Sequence, residues 1–179
     1  MVKELEVKVL NMDLNIVEEK IVKLGGKKLS EEFQINTLVD SYERPIKSYL
    51  DAYLRIRQTK DVLNNNESIT LTLKKNIKNN DLRENIELNT EISDKDTMLQ
   101  ILKDLGFDKI EVGHKERISY VLEGARIDLD IWDEKTYPYP YMEIEVENKE
   151  ALDNIIRILE IPLENISKKS IVELRAELE

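Results

Sequence analysis

Lys3-Glu4-Leu5-Glu6-Val7-Lys8-Val9-Leu10 alternates without a break. Glu4, Glu6 and Lys8 fall on one side of an extended chain, and Leu5, Val7 and Val9 on the other. That is the period of a half-buried β-strand. The scheme recurs along the chain. Tyr53 to Arg57 sets Arg55 and Arg57 against Leu54 and Ile56. Ile69 to Lys75 is rich in β-formers and carries Lys74 near its end. Leu82 to Ile92 sets Arg83, Asn85 and Glu87 against Leu82, Ile86 and Leu88. Lys115 to Leu122, Arg126 to Trp132 and Tyr141 to Glu147 follow suit, and Phe33 to Val39 is a weaker candidate. Turns separate most of these segments, which favours antiparallel pairing, and about eight strands suffice to close a small barrel.

Helices are fewer. Asp13 is placed to cap one with Ile16, Val17, Ile21 and Leu24 on its apolar stripe, ended by Gly25-Gly26. Asp94 caps a second, with Met98, Ile101, Leu102 and Leu105 on its stripe and Gly106 beyond. Asn148 opens a third through Leu152, Ile155, Ile156 and Leu159, with Pro162 past its end. A short fourth spans about Ser167 to Leu178, with Ile171 and Leu174 docked. Three times an alternating strand runs into a capped helix: Glu4 to Leu24, Asn85 to Leu105, and Glu143 to Leu159. The expectation is a single α+β domain over residues 1–179, an eight-stranded antiparallel β-barrel with amphipathic helices packed outside.

Composition narrows the chemistry. Of 179 residues, 41% are hydrophobic and 36% charged, and 37 acids outweigh 27 bases to give −10. That balance speaks against a general nucleic-acid or membrane-surface binder, which needs a basic face. Cysteine is absent and His114 is the sole histidine. Thiolate and multi-histidine metal sites are thereby excluded, so a metal would be held by oxygen, as Mg²⁺, Mn²⁺ or Ca²⁺ are. Met1 to Glu6 does not read as a signal peptide, and no apolar run approaches the ~20 residues of a membrane span. A cytoplasmic location, with no membrane contact, is expected.

The charged strand faces admit two readings. On an open sheet they are simply wetted. If the helices cover the apolar faces from outside, the charged faces line the barrel. Lys8, Arg55, Arg57, Lys74, Arg83, Lys115 and Arg117 then converge, and so do Glu4, Glu6, Glu87, Asp128, Asp130, Glu143 and Glu145. Buried ions need partners. The two signs either neutralise each other in a lattice or await ligands: a divalent cation for the acids, a polyphosphate for the bases. Arg supplies a fork matched to phosphate and Lys a point charge.

Glu4-Leu5-Glu6-Val7-Lys8 resembles the Glu-x-Glu-x-Lys signature of the CYTH family, the triphosphate tunnel metalloenzymes. Leu54-Arg55-Ile56-Arg57, Thr72-Leu73-Lys74, Arg83 with Glu87, Lys115-Glu116-Arg117, Asp130 and Glu143-Ile144-Glu145 are similar to that family's later strands, in order. Class IV adenylyl cyclases and thiamine, inorganic or RNA triphosphatases belong to it. The resemblance implies a tunnel, Mg²⁺ or Mn²⁺ on Glu4, Glu6, Asp130, Glu143 and Glu145, and a triphosphate gripped by Lys8, Arg55, Arg57, Lys74, Arg83, Lys115 and Arg117. Glu87 and Asp128 are further candidates for the metal. Glu6 and Lys8 are the expected catalytic pair, with Glu6 or a neighbour orienting the water that attacks the terminal phosphorus. Departures fall at Asn85, where the family often has Glu, and at Asn36 and Leu38, where Asp and an aromatic are usual. Tyr137 to Tyr141 lacks a common Gly, and Ile171 replaces a common Tyr.

Hydrolysis of a nucleotide, thiamine or inorganic triphosphate is the leading expectation. Cyclisation of ATP to cyclic AMP and pyrophosphate is the alternative, and Leu102 to Phe107 resembles the cyclase-like branch. A non-catalytic polyphosphate or nucleotide binder is the third. The expected partner is a small-molecule triphosphate, and a homodimer stays open. His114 reads as a surface histidine. Trp132 reads as packing, Tyr137 to Tyr141 as either a rigid turn or a cover for the tunnel mouth, and Arg126 as facing either way.

Overall fold

The computed structural model describes residues 2–77 and 83–178, with side chains from 5 to 76 and from 85 to 178. Leu82, read as the start of a strand, lies outside the described residues. Eight strands carry the fold: β1 (Val2–Val9), β2 (Lys27–Asp40), β3 (Ala52–Asp61), β4 (Asn66–Ile77), β5 (Arg83–Glu91), β6 (Lys109–Leu122), β7 (Ala125–Trp132) and β8 (Tyr141–Val146). Their order is β5-β4-β3-β2-β6-β7-β8-β1, every pairing is antiparallel, and β5 also pairs with β1. The pairings therefore run in a ring. β1 is the seam: Val2 to Glu6 meet β5, while Leu5 to Val9 meet β8. A two-residue β9 (Ile166–Ser167) extends the seam opposite Lys8 and Val9.

Alternation decides which side chains go outward. Val7, Val9, Tyr120, Leu122, Ile127, Leu129, Met142 and Ile144 form one buried outer face. α1 (Leu14–Lys23) lays Val17 and Ile21 on it, and α3 (Lys149–Leu159) lays Leu152, Ile155 and Leu159. Each such side chain stabilises by about 1.5–3 kcal/mol when fully buried. α2 (Lys95–Asp104) covers a second patch, with Leu102 against Val39 and Ile56. α4 (Ile171–Ala176) docks Leu174 and Ile171 on Tyr137, Tyr141 and Trp132.

The caps are those the sequence indicates. Asp13 accepts from Asn15 N at 2.9 Å, Asp94 from Thr97 N at 2.6 Å, and Asn148 from Ala151 N at 2.9 Å. Gly25, at φ 86°, ends α1 in the left-handed region that favours glycine. The apolar stripes are narrower than expected. Ile16, Leu24, Ile101 and Leu105 are exposed, because a ten-residue helix on a convex barrel touches it along one line. Phe33 to Val39 proves to be the middle of the 14-residue β2. The expected helix over Ser167 to Leu178 is six residues long, with Ser170 as its cap.

Candidate active site

The inward positions follow from the register. Lys8 stands opposite Glu143, Glu6 opposite Glu145, Asp128 opposite Glu143, and Arg117 opposite Asp130. Across the barrel, Asn36 stands opposite Arg57 and Leu38 opposite Arg55. They surround a cavity of about 690 Å³. Glu6, Lys8, Arg55, Arg57, Lys74 and Lys115 line it, as do Glu87, Arg117, Asp128, Glu143 and Glu145. Asp130 is fully buried behind this surface. The side chains of Glu4 and Arg83 lie outside the described residues; in the backbone register Glu4 stands opposite Asn85 and Arg83 opposite Glu6.

One side of the cavity is a charge lattice. Lys8 Nζ lies 2.6 Å from Glu143. Arg117 spans three acids: Nη1 to Asp128 at 2.6 Å, Nε to Asp130 at 2.6 Å, and Nη2 to Glu143 at 2.6 Å. Lys115 donates to Asp130 at 3.0 Å. Lys74 bridges Glu6 at 3.2 Å and Glu87 at 2.9 Å. The mutual-neutralisation reading thus holds for this side. Burial works against ionising Asp130 and Glu143, yet Arg117 with Lys115, and Lys8 with Arg117, hold them below the usual carboxylate range. Burial lowers Lys115, abetted by Arg117, to about 7 despite Asp130.

Two features escape that balance. Arg55 and Arg57 have no carboxylate within ion-pair distance among the described residues. Arg57 donates through Nε to Asn36 Oδ1 at 2.8 Å, and burial beside Arg55 and Arg117 lowers its guanidinium to about 9. Glu145 is the acidic counterpart. Burial raises it, as do Asp128 and Glu6, with Arg126 opposing. No three described carboxylates form a ready metal centre. The donor set nevertheless suits a hard cation: Glu145 and Glu6 offer carboxylate oxygens on adjacent strands, and the charge of Glu6 adds to what opposes ionising Glu145.

Arg126 faces inward, bonding Asp128 at 2.9 Å and Ser119 at 3.0 Å. Trp132 donates to the hydroxyl of buried Tyr141 at 2.8 Å, beneath Lys115 at 5.2 Å from its ring. Tyr137 is buried with them, Tyr139 is exposed, and His114 is exposed. Gln34, Tyr53 and the rim group Lys47, Lys135 and Arg175 carried no functional expectation from the sequence, and Asn36 stood only as a departure from the family pattern. The period-two signal was present at Gln34 and Asn36, but both are uncharged. A separate hollow of about 900 Å³ is lined by Phe33, Ile35 and Ile131 among others, and the catalytic candidates other than Lys115 are absent from its lining.

Fold and site together define a closed barrel whose lumen carries opposed acids and bases. The CYTH domain model matches residues 2–173, and the chain belongs to that family. A Methanocaldococcus jannaschii protein named "Putative adenylate cyclase" is 32% identical over 182 residues, covering 96% of this chain and 98% of its own. A Pyrococcus horikoshii structure superposes with a TM-score of 0.80 at 24% identity, covering 98% of this chain and 99% of that one. A second from the same organism gives 0.76 at 25%, covering 96% and 98%.

Proposed function

We propose that the protein is a metal-dependent triphosphatase that binds its substrate inside the barrel. The observation that carries this reading is the pair Arg55 and Arg57, two buried-face guanidiniums without acidic partners among the described residues, in a chain of net charge −10. Such cations call for an anion with several oxygens. Phosphoryl transfer needs positioning and charge neutralisation more than covalent help. Arg55 and Arg57 bind the phosphate chain from one side. Lys8 and Arg117, fixed by Glu143 and Asp130, reach it from the other. Asp130 acts here as a positioning residue, since it meets two bases and does not line the cavity. Glu6, tethered by Lys74, orients the attacking water and takes its proton. The water oxygen bonds to the terminal phosphorus as the bond from that phosphorus to the bridging oxygen breaks. Glu145 and Glu6, with Glu4 and Glu143 beside them, would hold Mg²⁺ or Mn²⁺. A bound cation supplies neutralisation of phosphate charge and polarisation of the water.

The second reading is cyclisation of ATP, favoured by the name of the 32%-identical relative. There the substrate's 3′-hydroxyl attacks the α-phosphorus and pyrophosphate leaves. The discriminating experiment separates the products from ATP and from tripolyphosphate in Mg²⁺ and in Mn²⁺. Orthophosphate supports hydrolysis, cyclic AMP with pyrophosphate overturns it, and silence from both substrates leaves a binding protein. Glu6→Ala should abolish turnover with the fold intact; full activity in that variant refutes the role of Glu6.

A further inference from the structure

Asn36 sits on the inner face of β2, 3% exposed, and lines the cavity. Its amide orientation is set, because Arg57 Nε donates to Oδ1 at 2.8 Å. Nδ2 is therefore a donor. It is buried and has no hydrogen-bond partner among the described residues. Arg55 Nε is in the same condition. Leu38 stands opposite Arg55 and Asn36 opposite Arg57, so Asn36 and Arg55 are diagonal neighbours on one face, roughly 7–8 Å apart at the backbone and within reach of long side chains. Two orphaned N–H donors and a second guanidinium thus share one stretch of wall. A ligand that satisfies all of them offers acceptors alone. An ionised phosphoryl group does so. Gln34, the next inward amide, gives Nε2 to Glu32 and leaves Oε1 unpartnered. It does not line this cavity, so the patch of donors ends at Asn36.

We propose that Asn36 is a substrate-binding residue whose Nδ2, together with the guanidiniums of Arg55 and Arg57, grips the oxygens of a phosphoryl group against the β2–β3 wall. The assignment rests on the triphosphate reading of the tunnel. Neutrality is what makes the residue useful. The Asp that is usual here in the family would accept from Arg57 equally well but would offer a phosphate oxygen no donor; Asn36 keeps the acceptor and adds the donor.

The test is titration of inorganic tripolyphosphate into the full chain, in Mg²⁺ and in EDTA, for wild type, Asn36→Asp and Asn36→Leu, with melting curves of each. The expected result is weakening by roughly tenfold for both Asn36→Leu and Asn36→Asp, since each removes the donor. The Asp variant should melt no lower than wild type, because it keeps the bond from Arg57. Asn36→Ser replaces the Leu variant if the latter does not fold. Wild-type affinity in both variants overturns the proposal and leaves the triphosphate reading standing. Weakening in Asn36→Asp alone also overturns it, since charge would then be acting without the donor. Absence of binding by wild type overturns the assignment together with the reading beneath it.

Discussion

At Lys115, burial and charge pull in opposite directions. The ammonium is 3.0 Å from Asp130, but Arg117 claims the same carboxylate through two nitrogens. Lys115 is thus the surplus cation, at about 7 against roughly 10.4 for a lysine in the unfolded chain. Between those values the unfolded state holds more protons, so this group makes stability rise with pH from about 7 to about 10.4. Denaturant melts across that range should show the rise, and Lys115→Met should flatten it; an unchanged slope would place the proton elsewhere. Glu145 carries the opposite strain. Its folded value is raised, so ionising it above that value costs stability. Glu145→Gln should accordingly raise the melting temperature in EDTA, and the further rise expected of wild type on adding Mg²⁺ should be absent from it. A variant that melts lower in EDTA, or keeps the full Mg²⁺ response, would count against a cation site there. Stability given up at a ligand site is a common trade.

Among the elements, α4 depends most on its cap. Glu173 N bonds Ser170 Oγ at 3.1 Å, and Ser170 N bonds the Glu173 carboxylate at 2.6 Å. A helix of six residues has little stability of its own, yet it holds Leu174 in the aromatic cluster and Arg175 at the cavity rim. Ser170→Ala should cost about 1 kcal/mol in denaturant melts and speed cleavage by a nonspecific protease near residue 170. Equal protease resistance would show that packing alone secures it. Elements of this kind were legible in the sequence, because caps and alternation are local. The strands that carry Glu6, Arg55, Lys115 and Glu143 announced their inner faces through charge. β2 did not, since Gln34 and Asn36 are neutral and Ile35 and Thr37 beside them are only weakly patterned. Pairing was not legible either. That β2 lies between β3 and β6, and that Arg57 therefore stands opposite Asn36 with no carboxylate partner among the described residues, depends on contacts between distant segments. The sequence left a neutralising lattice and a set of charges awaiting ligands as alternatives; the structure shows the lattice around Lys8, Lys74, Lys115 and Arg117, and Arg55 and Arg57 stand outside it among the described residues.

The whole molecule is a ring whose helices only fill its outside. Ile155 of α3 is fully buried against that ring. Ile155→Ala should therefore cost about 2–5 kcal/mol in denaturant unfolding, and it should leave tripolyphosphate affinity unchanged under folding conditions, because Ile155 does not line the lumen. Loss of affinity in a folded variant would reveal coupling between helix and tunnel. The ring also has a kinetic side. Its seam, β1, leaves the ribosome well before β8, which covers one of its edges and lies more than 130 residues further on. Contacts this distant in sequence form slowly, and during synthesis the strand is an unpaired edge open to other nascent chains. Glu6 and Lys8 on its inner face are the kind of charges that discourage edge-to-edge association. The residues that would handle phosphate in the finished barrel thus also guard the strand while it waits.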